Sequence, residues 1–137
     1  MRALRVLLAE DDEDHVFLIR RALAGLAEVA VTVEVVGDGE QAVERLGRAR
    51  FAPGRPPDLV LLDLKMPRMD GLEVLRRLRA DEAARDLPVV VLTSSERAED
   101  REEALRLGAT WFVCKPLDGR RFRAELQQLA DRWAVPA

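Results

Sequence analysis

Five polar residues, each of a type that phosphoryl chemistry uses, follow apolar runs in this chain. Glu10 and Asp11 follow Arg5–Ala9, Asp63 follows Leu59–Leu62, Thr93 follows Val89–Leu92, and Lys115 follows Trp111–Cys114. If these runs are parallel strands of one sheet, their carboxyl ends lie at the same edge, which is where open α/β sheets bind ligands. That edge would then hold three carboxylates, a hydroxyl and an ammonium.

The three carboxylates predict a metal site. Glu10, Asp11 and Asp63 converge if the first and third runs are neighbouring strands, and close carboxylates repel one another unless a cation lies between them. Mg²⁺ is the expected cation, because it takes one or two carboxylates together with water and phosphate oxygens. The alternative is a set of solvated carboxylates at strand ends, but Asp63 ends a run that is otherwise apolar.

Asp63 is the residue expected to react. A carboxylate can attack phosphorus and form an acyl phosphate. Thr93 can then hydrogen-bond one phosphoryl oxygen, and Lys115 can pair with another as a point charge.

Strand and helix patterns alternate five times along the chain, which predicts the elements that position these residues. Strands are predicted at about 4–9, 31–36, 58–62, 89–92 and 110–114, and helix 1 at about 13–27. Asp38, Ser95 and Asp118 are expected to cap helices 2, 4 and 5. Strands 1, 3 and 4 are apolar on both faces, as parallel strands covered by helices on either side are. The prediction is an α/β fold with a five-stranded parallel sheet, in a single domain over residues 1–137.

Composition excludes several other classes of protein. Hydrophobic residues make up 48% of the chain and charged residues 34%, which favours a globular domain over a disordered tail. The net charge of −3 and the interspersed charges give no basic face for nucleic acid. No apolar run approaches the ~20 residues that span a bilayer. We expect a cytoplasmic protein that binds neither nucleic acid nor membrane directly.

Four motifs in this order resemble the receiver domain of bacterial two-component response regulators. They are Glu10-Asp11, the stretch 63–71 that fits D-x-x-M-P-x-M-D-G, Thr93-Ser94 and Lys115-Pro116. The resemblance covers nearly the whole chain. It implies a flavodoxin-like fold with strand order 2-1-3-4-5, the order of the chemotaxis member of this family.

The resemblance also implies an acceptor and a metal site. Asp63 would accept a phosphoryl group from a phosphohistidine of a sensor histidine kinase. Asp11, Asp63 and the backbone carbonyl of Lys65 would bind Mg²⁺ directly, and Glu10 would bind it through water. The chain would then be a signalling domain and not an enzyme, limited to its own phosphotransfer and slow autodephosphorylation.

A conformational switch is implied by the same resemblance. Thr93 and Lys115 would contact the phosphoryl group, and Phe112 would be the switch aromatic that turns inward as Thr93 moves. Whether the Lys115-Pro116 peptide bond is cis is left open.

The output of such a domain is a separate question. Helix 5 is followed only by residues 134–137, so we expect a stand-alone regulator with no output domain. Acidic residues on helix 4 and basic residues on helix 5 favour a homodimer through helix 4, strand 5 and helix 5, with Phe122 and Trp133 as candidate anchors. A solvated charged face is the alternative. The acidic cluster at 10–14 and the proline-containing loop before strand 3 are similar to those of regulators paired with bacterial phytochromes, so the kinase could be a bacteriophytochrome.

Three other functions remain open from the sequence. A hydrolase of the haloacid dehalogenase type also places an Asp after an apolar strand, but it needs a second Asp two residues on, where this chain has Lys65. A flavodoxin-like cofactor module needs a phosphate-binding loop after strand 1, where acidic residues would repel phosphate. A degenerate receiver would act only as a scaffold. His15, the only histidine, is expected at the rim of the site without a catalytic role.

Overall fold

A computed structural model of the chain describes residues 1–47, 56–94, 97–117 and 119–137. Strands and helices alternate along it, as the sequence pattern predicts. The elements are β1 (Arg2–Ala9), α1 (Glu13–Ala24), β2 (Val29–Val36), α2 (Gly39–Gly47), β3 (Leu59–Asp63), α3 (Gly71–Ala80), β4 (Val89–Thr93), α4 (Ala98–Arg106), β5 (Trp111–Cys114), α5 (Gly119–Trp133) and β6 (Val135–Pro136).

The five long strands form one parallel sheet in the order β2-β1-β3-β4-β5. The predicted fold class and strand order are therefore confirmed. A short further strand, β6, is absent from the sequence prediction and pairs antiparallel with β1 at Arg2 and Ala3. This addition is possible because β3 joins β1 only from Val6 onward, which leaves the start of β1 open on that side.

Helices cover both faces of the sheet, as predicted. One apolar cluster joins the sheet to α1 and α5, and a second joins it to α2, α3 and α4. All five residues of β3 and all five of β4 are buried, which explains why these runs are apolar on both faces. Phe122 lies inside the first cluster and is 2% exposed. Its predicted role as an interface anchor is therefore wrong, because its ring is part of the core.

Side-chain caps fix where several helices begin. Asp12 caps α1 by accepting from the amides of Asp14 and His15, at 2.9 and 3.3 Å. Asp38 accepts from the Gln41 amide at 2.8 Å before α2, so that predicted cap is confirmed. The start of α4 differs from the prediction, because Arg97 occupies its N-cap position without a side-chain cap bond.

Some predictions fall outside the described residues or shift by a few positions. Ser95, Asp118 and most of the predicted loop before strand 3 lie in the ranges that are not described. Helix α1 ends at Ala24 and not at residue 27, because the amides of Gly25 and Leu26 turn back to the carbonyls of Ala22 and Leu23, at 3.2 and 3.3 Å. Within the described ranges, no helix combines the length and the apolar character that crossing a membrane requires.

Candidate functional site

The ends of four neighbouring strands bring the predicted residues to one edge of the sheet. Glu10 directly follows β1, Asp63 ends β3, Thr93 ends β4 and Lys115 follows β5. The register places Asp63 opposite Leu92 and Thr93 opposite Cys114, so these strands end nearly level. The predicted convergence of Glu10, Asp11 and Asp63 is confirmed. Lys115 contacts Glu10 and Asp63 directly.

The loop after β3 holds Asp63 through a close approach of backbone to backbone. The amide of Gly71, the first residue of α3, donates to the Leu64 carbonyl at 2.9 Å. A Cβ atom on Gly71 would lie only 2.6 Å from the Asp63 carbonyl oxygen. Asp70 then caps α3 by accepting from the Glu73 amide at 3.0 Å. The Asp-Gly pair that ends the motif therefore lets α3 start directly against the end of β3.

Three carboxylates form a cluster that suits a hard divalent ion. One oxygen each from Glu10, Asp11 and Asp63 can be chosen so that all three lie within 4.8 Å of one another. Glu10 Oε2 is buried and has no hydrogen-bond partner among the described residues. A buried, unpartnered carboxylate oxygen is costly unless a cation or an ordered water satisfies it. The all-oxygen donor set fits Mg²⁺.

The crowding of the cluster changes the acidity of Glu10. Burial is the main cause that raises its pKa to about 7 from an ordinary value of 4.5, and the neighbouring Asp63 raises it further. Lys115 opposes the rise. The side chain of Glu10 is fully buried, so little water is available to stabilise its charged form.

Lys115 connects the acidic residues. Its Nζ donates to Glu10 Oε1 at 3.2 Å and to Asp63 Oδ2 at 3.5 Å. The other Asp63 oxygen, Oδ1, accepts from the Lys65 amide at 3.1 Å. The peptide bond from Lys115 to Pro116 is cis. Asp63 is thus held from two sides while it remains 5% exposed.

The structure adds His15 to this set. His15 Nδ1 lies 2.9 Å from Lys115 Nζ and 3.0 Å from Glu10 Oε1. Its Nε2 lies 3.8 Å from Asp12 Oδ2. His15 was predicted at the rim of the site, and these contacts were not predicted. The sequence signal for these contacts is the short spacing between Glu10 and His15. Because Asp12 caps α1, the helix begins soon after β1 and turns residue 15 back over the end of that strand.

The residues predicted to form the switch lie around β4 and β5. Thr93 is 5% exposed at the end of β4. The ring of Phe112 is half-buried and stacks on Trp111, with ring centroids 5.3 Å apart. The guanidinium of Arg101 lies 5.5 Å from the centre of the Phe112 ring. The movement of Phe112 and the metal-binding role of the Lys65 carbonyl stay predictions.

Comparison with known proteins identifies a family for this chain. The family model of the response regulator receiver domain matches residues 6–127. The probable methanogenesis regulatory protein FilR2 of Methanothrix harundinacea (strain 6Ac) is 35% identical over 129 residues, which cover 93% of this chain and 82% of that protein. The chain spans about half the length of other curated relatives that it matches.

Two solved structures resemble the whole chain. The bacteriophytochrome response regulator AtBRR is 37% identical with a TM-score of 0.77, and the match covers 97% of this chain and 96% of that one. The receiver domain of the sensor histidine kinase PA1611 from Pseudomonas aeruginosa PAO1 holds a magnesium ion in its active site cleft. It is 34% identical with a TM-score of 0.78, and the match covers 96% of this chain and 97% of that one. This chain belongs to the family of response regulator receiver domains, which are signalling domains of two-component systems.

Proposed function

We propose that this chain is a response regulator that accepts a phosphoryl group on Asp63 in a Mg²⁺-dependent reaction. The observation that carries the proposal is the setting of Asp63. Its carboxylate is almost fully buried, lies beside Glu10 and Asp11, and has Lys115 Nζ 3.5 Å from Oδ2. A carboxylate enclosed in this way by a metal site and an ammonium is suited to hold a phosphoryl group.

The proposed step is an in-line displacement at phosphorus. An oxygen of Asp63 forms a bond to phosphorus, and the bond from phosphorus to the donor nitrogen or oxygen breaks. The leaving group keeps the electron pair of that bond. Lys115 stabilises negative charge on the transferred group, because its ammonium already lies beside Oδ2. Thr93, at the end of the adjacent strand, supplies a hydroxyl for another phosphoryl oxygen.

The proposed metal ligands are Asp11, Asp63 and the Lys65 carbonyl, with Glu10 acting through water. The ion supplies charge neutralisation for the phosphoryl group and for the crowded carboxylates. The burial of Glu10 Oε2 supports the placement of Glu10 beside a bound water. The Lys65 amide already donates to Asp63 Oδ1, so Lys65 is held beside the proposed metal ligands.

The acceptor is tested by incubating the protein with acetyl phosphate and Mg²⁺ and measuring its intact mass. The expected result is a gain of one phosphoryl group in the wild type and none in Asp63→Asn. Asp70→Asn is the matched control, because asparagine also caps a helix and Asp70 acts at the start of α3. No adduct in the wild type, or an adduct that persists in Asp63→Asn, would contradict the proposal.

We further propose that the chain acts as a stand-alone cytoplasmic regulator whose donor is a sensor histidine kinase of the bacteriophytochrome kind. The support is that AtBRR, a bacteriophytochrome response regulator, is matched over nearly the whole of both chains. The test mixes the protein with an autophosphorylated bacteriophytochrome kinase and with a kinase that senses another signal. Faster transfer from the bacteriophytochrome is expected, and equal or faster transfer from the control kinase would refute this choice of donor.

We also propose that signalling uses the surface formed by α4, β5 and α5, as a homodimer. Trp111 supports this, because the residue is 53% exposed on that surface and its ring stacks on Phe112. The charged residues of this surface support a dimer less than expected, since Glu99 pairs with Arg97 at 2.8 Å within the same chain. Trp133 is half-buried: it packs against the core and lines a cavity together with Trp111.

Sedimentation with and without beryllofluoride tests the dimer. Trp111→Ala should weaken self-association, while Phe17→Ala, at another exposed aromatic ring on α1, should leave it unchanged. A monomeric mass in both conditions would refute the dimer.

A further inference from the structure

A cleft lies between helices α1 and α5, away from the carboxylates of the candidate metal site. Its volume is about 440 Å³, which is within the range of pockets that bind small molecules. One wall of this α1–α5 cleft comes from α1. The other wall comes from the first two turns of α5 and from Leu117, which precedes that helix.

Small residues leave the space between the two helices open. Ala22 and Gly25 lie about one turn apart on the wall formed by α1, and Gly119 lies on the opposite wall. About one turn beyond the cleft, the two helices are joined by a pair of hydrogen bonds. The amide of Ala27 donates to Gln127 Oε1 at 2.9 Å, and Gln127 Nε2 donates to the Ala27 carbonyl at 3.3 Å. The cleft is therefore a preformed opening between helices whose separation is fixed.

The floor of the cleft is apolar. Phe122 and Leu117 are 2% and 3% exposed and belong to the apolar cluster that joins the sheet to α1 and α5. Leu18 is half-buried and packs against the same cluster. An apolar group that enters the cleft would rest on these side chains and lose its contact with water, which favours its binding.

The rim of the cleft is positively charged. Arg21 of α1 and Arg123 of α5 are both exposed and line the cleft from opposite walls. Within the part of the chain that the structure describes, neither guanidinium has an ion pair or a hydrogen bond, whereas Arg121 pairs with Glu125 at 3.3 Å. No acidic residue lines the cleft in the described ranges. The charge at the rim is thus left for an anion from outside the chain.

We propose that the α1–α5 cleft binds a small amphipathic organic anion. Its apolar part lies on Leu117 and Phe122, and its carboxylate or phosphate lies between Arg21 and Arg123, since guanidinium groups match both kinds of anion. The volume suits a ligand of about 15 non-hydrogen atoms, if each takes about 30 Å³ as a liquid water molecule does. The proposal is independent of phosphorylation, because Asp63 and its partners do not line the cleft.

Octanoate and octyl phosphate are the probes, because each joins an apolar chain of suitable size to an anion. Octanol is the neutral control. Binding is followed through the backbone amide signals of the ¹⁵N-labelled protein. At least one anion should bind with a Kd on the order of millimolar and shift signals from the cleft, and octanol should bind about tenfold more weakly. The tighter anion identifies the head group. Octanol binding as tightly as the anions, or no anion shifting the cleft signals, would overturn the proposal.

Two substitutions and two matched controls test the role of the rim. Arg21→Gln and Arg123→Gln should each weaken binding of the anion about threefold to fivefold, the effect of losing one exposed ion pair. Arg20→Gln and Arg120→Gln remove the same charge from the same helices at exposed positions outside the cleft, so they should leave the affinity unchanged. All four side chains are exposed, so the urea midpoints should stay at the wild-type value. Equal weakening by the two controls would show that the anion responds only to net charge and would refute the site.

Discussion

Glu10 should make the metal-free protein lose stability as the pH rises. Its pKa is about 7 in the folded chain and near 4.5 in an unfolded one. At pH values between these two pKa values, Glu10 keeps its proton in the folded state and has released it in the unfolded state. Because the folded state binds more protons, the free energy of unfolding falls with rising pH in this window. In Glu10→Gln, this part of the pH dependence of stability should be absent, since glutamine does not titrate.

The size of the effect follows from the two pKa values. A rise from 4.5 to about 7 corresponds to about 3 kcal/mol, reached above pH 7 and absent below pH 4.5. That is a large part of the stability of a domain of this size, which is typically about 5–15 kcal/mol. Mg²⁺ should restore stability above pH 7, by about 2.7 kcal/mol at a concentration 100 times its Kd.

Urea unfolding in a chelator, at several pH values from 4.5 to 8, measures this effect. Subtracting Glu10→Gln from the wild type at each pH removes the contribution of other groups. The difference should be near zero at the acid end and should favour Glu10→Gln by about 3 kcal/mol at the alkaline end. A flat difference, or one that favours the wild type more as the pH rises, would refute the assignment of a crowded, buried Glu10.

Three substitutions test the packing that positions the site. Gly71→Ala should cost a few kcal/mol and reduce phosphorylation of Asp63 in the mass assay, because its Cβ would lie 2.6 Å from the Asp63 carbonyl oxygen; wild-type stability would contradict the close approach. Arg79→Lys should destabilise the fold in urea by about 1–3 kcal/mol, because its guanidinium donates to three backbone carbonyls at 2.9–3.0 Å; an unchanged midpoint would show that these bonds contribute little. Leu62→Ala should cost about 2–5 kcal/mol in the same assay, because Leu62 is fully buried next to Asp63, and a smaller loss would indicate that the core closes around the cavity.

The sheet and the acidic site could be predicted because their signals are local in the sequence. A run such as Leu59–Leu62 is apolar on both faces only if helices cover it on both sides, and Asp63 at its end is then a notable exception. The strand order came from the family resemblance. It is the order that places β1 between β2 and β3, and so brings Glu10 next to Asp63.

Other features depend on contacts that the sequence does not encode locally. β6 forms because Val135 and Pro136 reach the open start of β1, more than a hundred residues away in sequence. Phe122 has the helical spacing of a core residue and also the character of an interface anchor, and only packing decides between these roles. The position of the His15 ring depends on where the Asp12 cap starts α1. Because helix boundaries are the least reliable part of a sequence prediction, this position could not be predicted.

The raised pKa of Glu10 and the candidate metal site have one physical cause. Three carboxylates converge where only Lys115 supplies a nearby positive charge among their hydrogen-bond partners in the described site. Without a metal, a proton on Glu10 relieves the excess negative charge. A bound Mg²⁺ would take up that charge instead, and Lys115 would then be held less tightly by Glu10 and Asp63. Under the proposed function, this would leave its ammonium free to pair with a phosphoryl group on Asp63.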